Sequence, residues 1–155
     1  MKGGLGTASI QIPGGPVVAA LAVVNALGDI WDQGRIVVGA LTPDGIFVNQ
    51  TRAMMEGVPS PLFNRNTTIA VVATNEQLTK AETNRVATLA DDGMARAISP
   101  NHTQWDGDTI FCLSLGSHTS NMSRDAIVTQ VGTAAALVLE QAIIRGALEA
   151  QKNRY

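Results

Sequence analysis

Two consecutive threonines stand at Asn66-Thr67-Thr68, where a polar approach gives way to the apolar, β-branched run Ile69–Thr74. A threonine hydroxyl inside a chain is a poor nucleophile. If the Asn66–Thr67 bond breaks, however, Thr67 gains a free α-amine that can serve as its base. Unperturbed, such an amine titrates at about 7.7–8.0, close to working pH. Self-cleavage needs a bent amide, a hydroxyl beside it and groups that protonate the departing nitrogen. Asp106 and Asp108, two residues apart in one loop, could move that proton and later position the new amine. Asn25 offers an amide donor for an oxyanion, whose stabilisation usually contributes most to acyl transfer. Lys2 could orient Thr67 or lower a neighbouring pKa, and Gly3-Gly4 would let backbone approach a substrate.

Each of these residues also has an ordinary structural reading. Thr-Thr opens a strand with two β-formers, and Asp-Gly-Asp forms a turn. Asn25 can satisfy a strand end, and Lys2 can be a solvated terminal lysine. His102 and His118 with Asp106 and Asp108 make the one conceivable metal set, but His-x-x-x-Asp-x-Asp matches no ligand pattern with a mechanistic basis. No metal or other cofactor is expected.

The chain has 155 residues, 45% hydrophobic and 15% charged, which suits one soluble domain with a sizeable core. Aromatic residues make up only 4%, so that core must be aliphatic and alanine-rich. A net charge of −2 without a basic cluster gives no footprint for nucleic acid or an anionic membrane. A small neutral or peptide-like substrate fits better. The single cysteine, Cys112, cannot form an internal disulfide, which accords with a cytoplasmic location, and its apolar neighbours suggest a buried structural thiol. The uncharged stretch Gly3–Gly28 is interrupted by Pro13-Gly14-Gly15-Pro16, leaving Val17–Val24 too short to span a bilayer. A charged start before an apolar octet is nevertheless the minimal pattern of a cleavable signal.

Several elements must position the candidate residues. Leu5–Ile12 reads as a strand ending at the Pro-Gly-Gly-Pro turn. Val17–Leu27 suits either a helix or a buried strand, and periodicity does not decide between them. Arg35–Leu41 and Ile46–Val48 flank Thr42-Pro43-Asp44-Gly45 as a hairpin. Asn49–Asn66 reads as an exposed linker able to bend a peptide bond towards a hydroxyl. Thr67–Thr74 reads as a strand central in its sheet. Thr79-Lys80-Ala81-Glu82 is a capping box opening a helix that ends near Ile98, with Val86, Leu89, Ala90, Gly93 and Ala97 on one face. Asn101–Asp108 is a polar loop, Thr109–Leu115 a buried strand, Gly116–Ser123 a second polar loop, and Arg124–Gln151 a long helix apolar over most of its circumference.

Lys2-Gly3-Gly4-Leu5-Gly6-Thr7-Ala8-Ser9, Val23-Val24-Asn25-Ala26-Leu27-Gly28-Asp29, Asn66–Asn75 and Asp106-Gly107-Asp108-Thr109 follow one another along the chain. In this order they resemble the self-processing family of L-aminopeptidase/D-alanine esterases, β-peptidyl aminopeptidases and nylon-oligomer endo-hydrolases. The Asn-Thr-Thr junction followed by Asp-Gly-Asp resembles the nylon-oligomer branch most. The resemblance implies an α+β fold, a layered α-β-β-α sandwich of which this chain is the C-terminal part, and it favours a strand at Val17–Leu27. It implies Thr67 as nucleophile, Asn25 as oxyanion donor, Lys2 as orienting cation, and Asp106 and Asp108 as the pair that moves the proton. Cleavage between Asn66 and Thr67 would divide the single, incomplete domain 1–155 into 1–66 and 67–155. The implied substrates are amino-terminal peptides, amino amides or short amide oligomers, and the implied assembly is a homo-oligomer. Family members are longer, so a separate N-terminal half is a further expected partner. The alternative is a truncated, non-catalytic relative that serves as an assembly subunit.

Overall fold

Pro13-Gly14-Gly15-Pro16 reverses the chain early, with Gly14 at φ 66° and the turn closed by the Ile12 N–H donating to the Pro16 carbonyl at 3.0 Å. The computed structural model describes residues 3–57 and 66–152. In chain order come β1 (Gly4–Gln11), β2 (Val17–Val24), β3 (Asp29–Asp32), β4 (Arg35–Val38), α1 (Gln50–Met55), β5 (Ile69–Glu76), α2 (Lys80–Ala97), β6 (Ile98–Ser99), β7 (Thr109–His118) and α3 (Arg124–Lys152). A main sheet takes the order β1-β2-β5-β7, antiparallel except for the parallel β5–β7 pair, and a small sheet takes the order β4-β3-β6. This is the expected α+β class.

Strand alternation divides the main sheet into two faces. Val18, Ala20, Ala22 and Val24 of β2 and Ala70 and Val72 of β5 are buried under the helices. Helix α3 packs across β1, β2 and α2, and its Ile127, Val131, Leu139 and Ile143 are fully buried. Each such side chain contributes about 1.5–3 kcal/mol relative to exposure. The core is aliphatic and alanine-rich, as composition requires. Close backbone contact makes this possible. A Cβ on Gly6 would sit 2.0 Å from the Ala142 carbonyl oxygen, so glycine lets β1 lie against α3.

The opposite face is uncovered among the described residues. Cross-strand rows Leu5-Val23-Ile69-Thr109, Thr7-Leu21-Val71-Phe111 and Ser9-Ala19-Ala73-Leu113 compose it. Leu5, Phe111, Leu113 and Leu115 are between 52% and 69% exposed. A concavity of about 620 Å³ on it is lined by Thr7, Ser9, Ala19, Leu21, Val71 and Ala73.

Several expectations hold. Val17–Val24 is a strand, β5 is interior, and Thr79 caps α2 with its hydroxyl accepting from Glu82 N–H while Glu82 accepts from the Thr79 amide. Others are corrected. Cys112 is half-buried rather than buried, and the burial it has pushes its thiol up to about 11. The strand at Thr109–Leu115 is not buried but an outer strand with one open face, and it runs on through Gly116 to His118. The turn at Thr42–Gly45 forms and the hairpin across it is short: Leu41 bridges Phe47, with the Thr42 N–H donating to the Ile46 carbonyl and the Val48 N–H to the Ala40 carbonyl. The main partner of β4 is β3, which pairs through a turn at Gln33-Gly34, both at positive φ. Gln50–Met55 is helical because Asn49 caps it, its side chain accepting from Arg52 N–H at 3.1 Å. The remainder of the expected linker, 58–65, lies outside the described residues.

Candidate active site

Strands β5 and β7 are joined by the α2 crossover and run parallel, so both begin at the same end of the sheet. The pairing extends beyond the strands: Asn66 bridges Asp106 in parallel, and the Thr109 N–H donates to the Thr68 carbonyl at 3.0 Å. The Asn-Thr-Thr junction and the Asp-Gly-Asp loop, some forty residues apart in sequence, therefore lie side by side.

The Asn66–Thr67 peptide is held from both ends. Its carbonyl oxygen accepts from the Gly107 N–H at 3.1 Å and from the Thr67 hydroxyl at 2.6 Å. Its N–H donates to the main-chain carbonyl of Asn25 at 3.0 Å, just past the end of β2. Two donors on one carbonyl oxygen draw electron density from the carbon and favour addition there. Thr67 is half-buried and Asn66 buried. The next residue, Thr68, donates its N–H to Asp108 Oδ1 at 2.7 Å, while its own hydroxyl is buried without a protein partner.

The two carboxylates are held differently. Asp108 has a side chain only 2% exposed. Burial raises its pKa above the ordinary carboxylate value, and the Asp106 charge adds to this, against the lowering effect of the Thr68 N–H and of His102. Asp106 closes its own loop, with Oδ2 accepting from the Thr103 N–H at 3.1 Å and the Thr103 hydroxyl at 2.6 Å. That turn presents the Gly107 N–H to Asn66.

The structure thus gathers Asn66, Thr67, Asn25, Asp106 and Asp108 at one end of the main sheet. Lys2 lies outside the described residues. Gly3 and Gly4 allow close approach to the protein's own backbone, at Val24 and at Gly146 of α3. His118 stands at the opposite end of β7, its Nδ1 2.7 Å from the buried carboxylate of Glu76. Sequence reasoning missed the Gly107 N–H and the Asn25 carbonyl, because main-chain groups leave no residue-type signal. It grouped His102 with Asp106 and Asp108 but did not foresee Asp91 on the other side of the ring.

The sequence pattern of Peptidase family S58 matches residues 1–154. The chain belongs to that family. An uncharacterized aminopeptidase of Mycobacterium leprae is 39% identical over 97% of the S58 chain and 46% of its own length. A 6-aminohexanoate-oligomer endohydrolase of a Kocuria species is 31% identical over 84% of this chain and 40% of its own. The chain therefore spans about half the length of the curated relatives it matches. Among solved structures, the L-aminopeptidase D-Ala-esterase/amidase of Ochrobactrum anthropi, a variant of the Ntn hydrolase fold, superimposes with a TM-score of 0.63. It covers 96% of this chain and 40% of its own at 22% identity, a likeness of fold.

Proposed function

We propose that this chain carries the nucleophile of an amide hydrolase that activates itself by cleaving Asn66–Thr67. The observation that supports it is the carbonyl of Asn66, gripped by the Gly107 N–H and by the hydroxyl of the residue that would attack it. In this reading the Thr67 oxygen adds to the Asn66 carbonyl carbon and the Gly107 amide steadies the oxyanion. The C–N bond then breaks, and the hydroxyl proton, moved with the help of Asp108 and Asp106, ends on the departing nitrogen. Water hydrolyses the resulting ester, leaving an Asn66 carboxylate and a Thr67 with a free α-amine. The Asn25 carbonyl, which accepts the Thr67 N–H before cleavage, then orients that amine as base.

Turnover of a peptide or amide substrate repeats the chemistry on an external carbonyl, with the Asn25 side chain as an oxyanion donor and Lys2 as orienting cation. Substrates in this reading are amino-terminal peptides, amino amides or short amide oligomers, as the names of the relatives suggest.

The uncovered apolar face supports a second reading, that of an assembly subunit. Leu5, Val23, Phe111 and Leu113 present a contiguous surface of the kind that marks an interaction site. A further β-layer from a separate N-terminal half, or another copy, would cover it, and hydrolysis would require that layer. Intact-mass spectrometry separates the readings. Fragments 1–66 and 67–155 in the parent with a single chain in Thr67→Ala support self-processing, whereas one intact chain in both supports the subunit.

A further inference from the structure

His102 has no part in the resemblance, yet its backbone and its ring both tie it to the site. Its backbone takes φ 52°, a left-handed conformation that residues with a Cβ seldom adopt, and this turns its N–H towards Asp108 Oδ2 at 3.4 Å. Its ring bridges two carboxylates, with Nε2 2.8 Å from Asp91 Oδ1 on α2 and Nδ1 3.4 Å from Asp108 Oδ2. The two acids differ in setting: Asp91 is 42% exposed, Asp108 2%. The 2.8 Å contact to Asp91 is a hydrogen bond, whereas the 3.4 Å approach of Nδ1 to Asp108 is an ion-pair distance, through which the ring acts by charge.

We propose that His102 is a positioning residue of this centre, anchored by Asp91 and acting on Asp108 through its main-chain N–H and ring charge so that Asp108 stays aimed at the Thr68 N–H. The proposal rests on the hydrolase reading above, since it concerns the state of a group in that site. Asp108 needs such help. It is buried, its neighbour Asp106 repels its charge, and the bond it accepts from Thr68 fixes the residue next to the nucleophile. The charged groups facing His102 among the described residues are Asp91 from α2 and Asp108 from the approach to β7, and Asp106 stands beside Asp108 in the same loop. The Thr68 N–H first, then the His102 N–H and ring charge, favour the ionised Asp108 against burial and the Asp106 charge.

The test compares the parent with His102→Gln, which keeps a donor and loses the charge, and with His102→Arg, which restores the charge. Self-cleavage rate is followed against pH by intact mass, and the Asp108 carboxyl is titrated by carbon NMR. In His102→Gln the acid limb of the rate profile and the Asp108 titration should both move up, by about 0.5–1 pH unit for a partly exposed cation. His102→Arg should bring both back. An unmoved limb and titration in His102→Gln, or an arginine variant that behaves like the glutamine one, overturns the proposal. If the parent does not process, the hydrolase reading falls, and the NMR titration alone decides whether His102 governs Asp108. Should His102→Gln fail to fold, the exposed substitution Asp91→Asn takes its place, with a smaller shift in the same direction expected and an unmoved titration counting against the proposal.

Discussion

Replacing Gly107 by alanine adds one methyl group, and that methyl would sit 2.8 Å from Thr67 Oγ1. This is roughly 0.6 Å inside ordinary contact, so the hydroxyl must retreat by about that much. It now lies 2.6 Å from the Asn66 oxygen, and the displacement takes it beyond ordinary O–H···O range. A misplacement approaching 1 Å in a reacting group lowers rates by about 10²-fold, equivalent to about 2.7 kcal/mol of barrier. The fold should be indifferent. Gly107 is exposed and is not among the glycines at positive φ, so an alanine there changes stability by no more than about 0.5 kcal/mol. The assay is the time course of appearance of fragments 1–66 and 67–155, with urea denaturation of a Thr67→Ala background as the stability control. A Gly107→Ala protein that processes within about threefold of the parent would refute the view that the Asn66 carbonyl and Thr67 hydroxyl are held in an attack geometry by this loop.

Glu82 gives a pH signature remote from the site. The Arg124 guanidinium first, then the Thr79 N–H and hydroxyl, hold its carboxyl at about 2, so its stabilising contribution is present above its unfolded value of about 4.3 and is lost as pH falls through the folded one. Thermal melts of the parent should therefore lose stability on acidification across that window more steeply than those of Glu82→Gln, and equal slopes would show that the cap and ion pair are not coupled to folding. Gly6→Ala tests the sheet–helix contact: the methyl meets the Ala142 carbonyl oxygen at 2.0 Å and the Gly146 nitrogen at 2.4 Å, both backbone atoms that cannot swing aside. Overpacking of this kind costs about 1–3 kcal/mol, and a urea midpoint unchanged from the parent would mean that α3 sits farther from β1 than described.

What the sequence disclosed were elements whose ends carry local chemistry. Thr79 and Glu82 announce a helix by filling each other's hydrogen bonds, and Pro13–Pro16 announces a reversal. Pairing was harder. β3 and β4 are four residues each, and the Gln33-Gly34 turn between them is quieter than Thr42-Pro43-Asp44-Gly45, so the sequence shows the pairing across the later turn but not that of β3 with β4. An apolar run also does not say what covers it. Thr109–Leu115 reads as buried because both its faces are apolar, yet Phe111, Leu113 and Leu115 point away from the helices. At the site, the motif residues were legible through resemblance. The group that grips Asn66 was not, being a backbone N–H that glycine merely allows to approach.

One topological fact explains why the legible residues meet. A strand followed by a crossover helix and a parallel strand starts both strands at the same edge of the sheet, whereas a hairpin would place the start of one beside the end of the other. Helix α2 makes β5 and β7 parallel, so Thr67 before one strand and Asp106-Gly107-Asp108 before the other become neighbours, with Asn25 arriving at the end of the antiparallel β2. Two chain segments converge on the Asn66–Thr67 peptide, the loop 106–108 supplying a donor to its oxygen and a carboxylate for the next amide, and Asn25 an acceptor for its nitrogen. At the other end of the same two strands the equivalent convergence yields the buried Glu76 carboxylate with His118 and the Ser120 N–H, a hydrogen-bonded cluster that ties β5 to the end of β7 and the loop before α3. The sheet is thus fixed at one end by hydrogen bonds to a buried carboxylate, and at the other its polar contacts are concentrated on a single peptide bond.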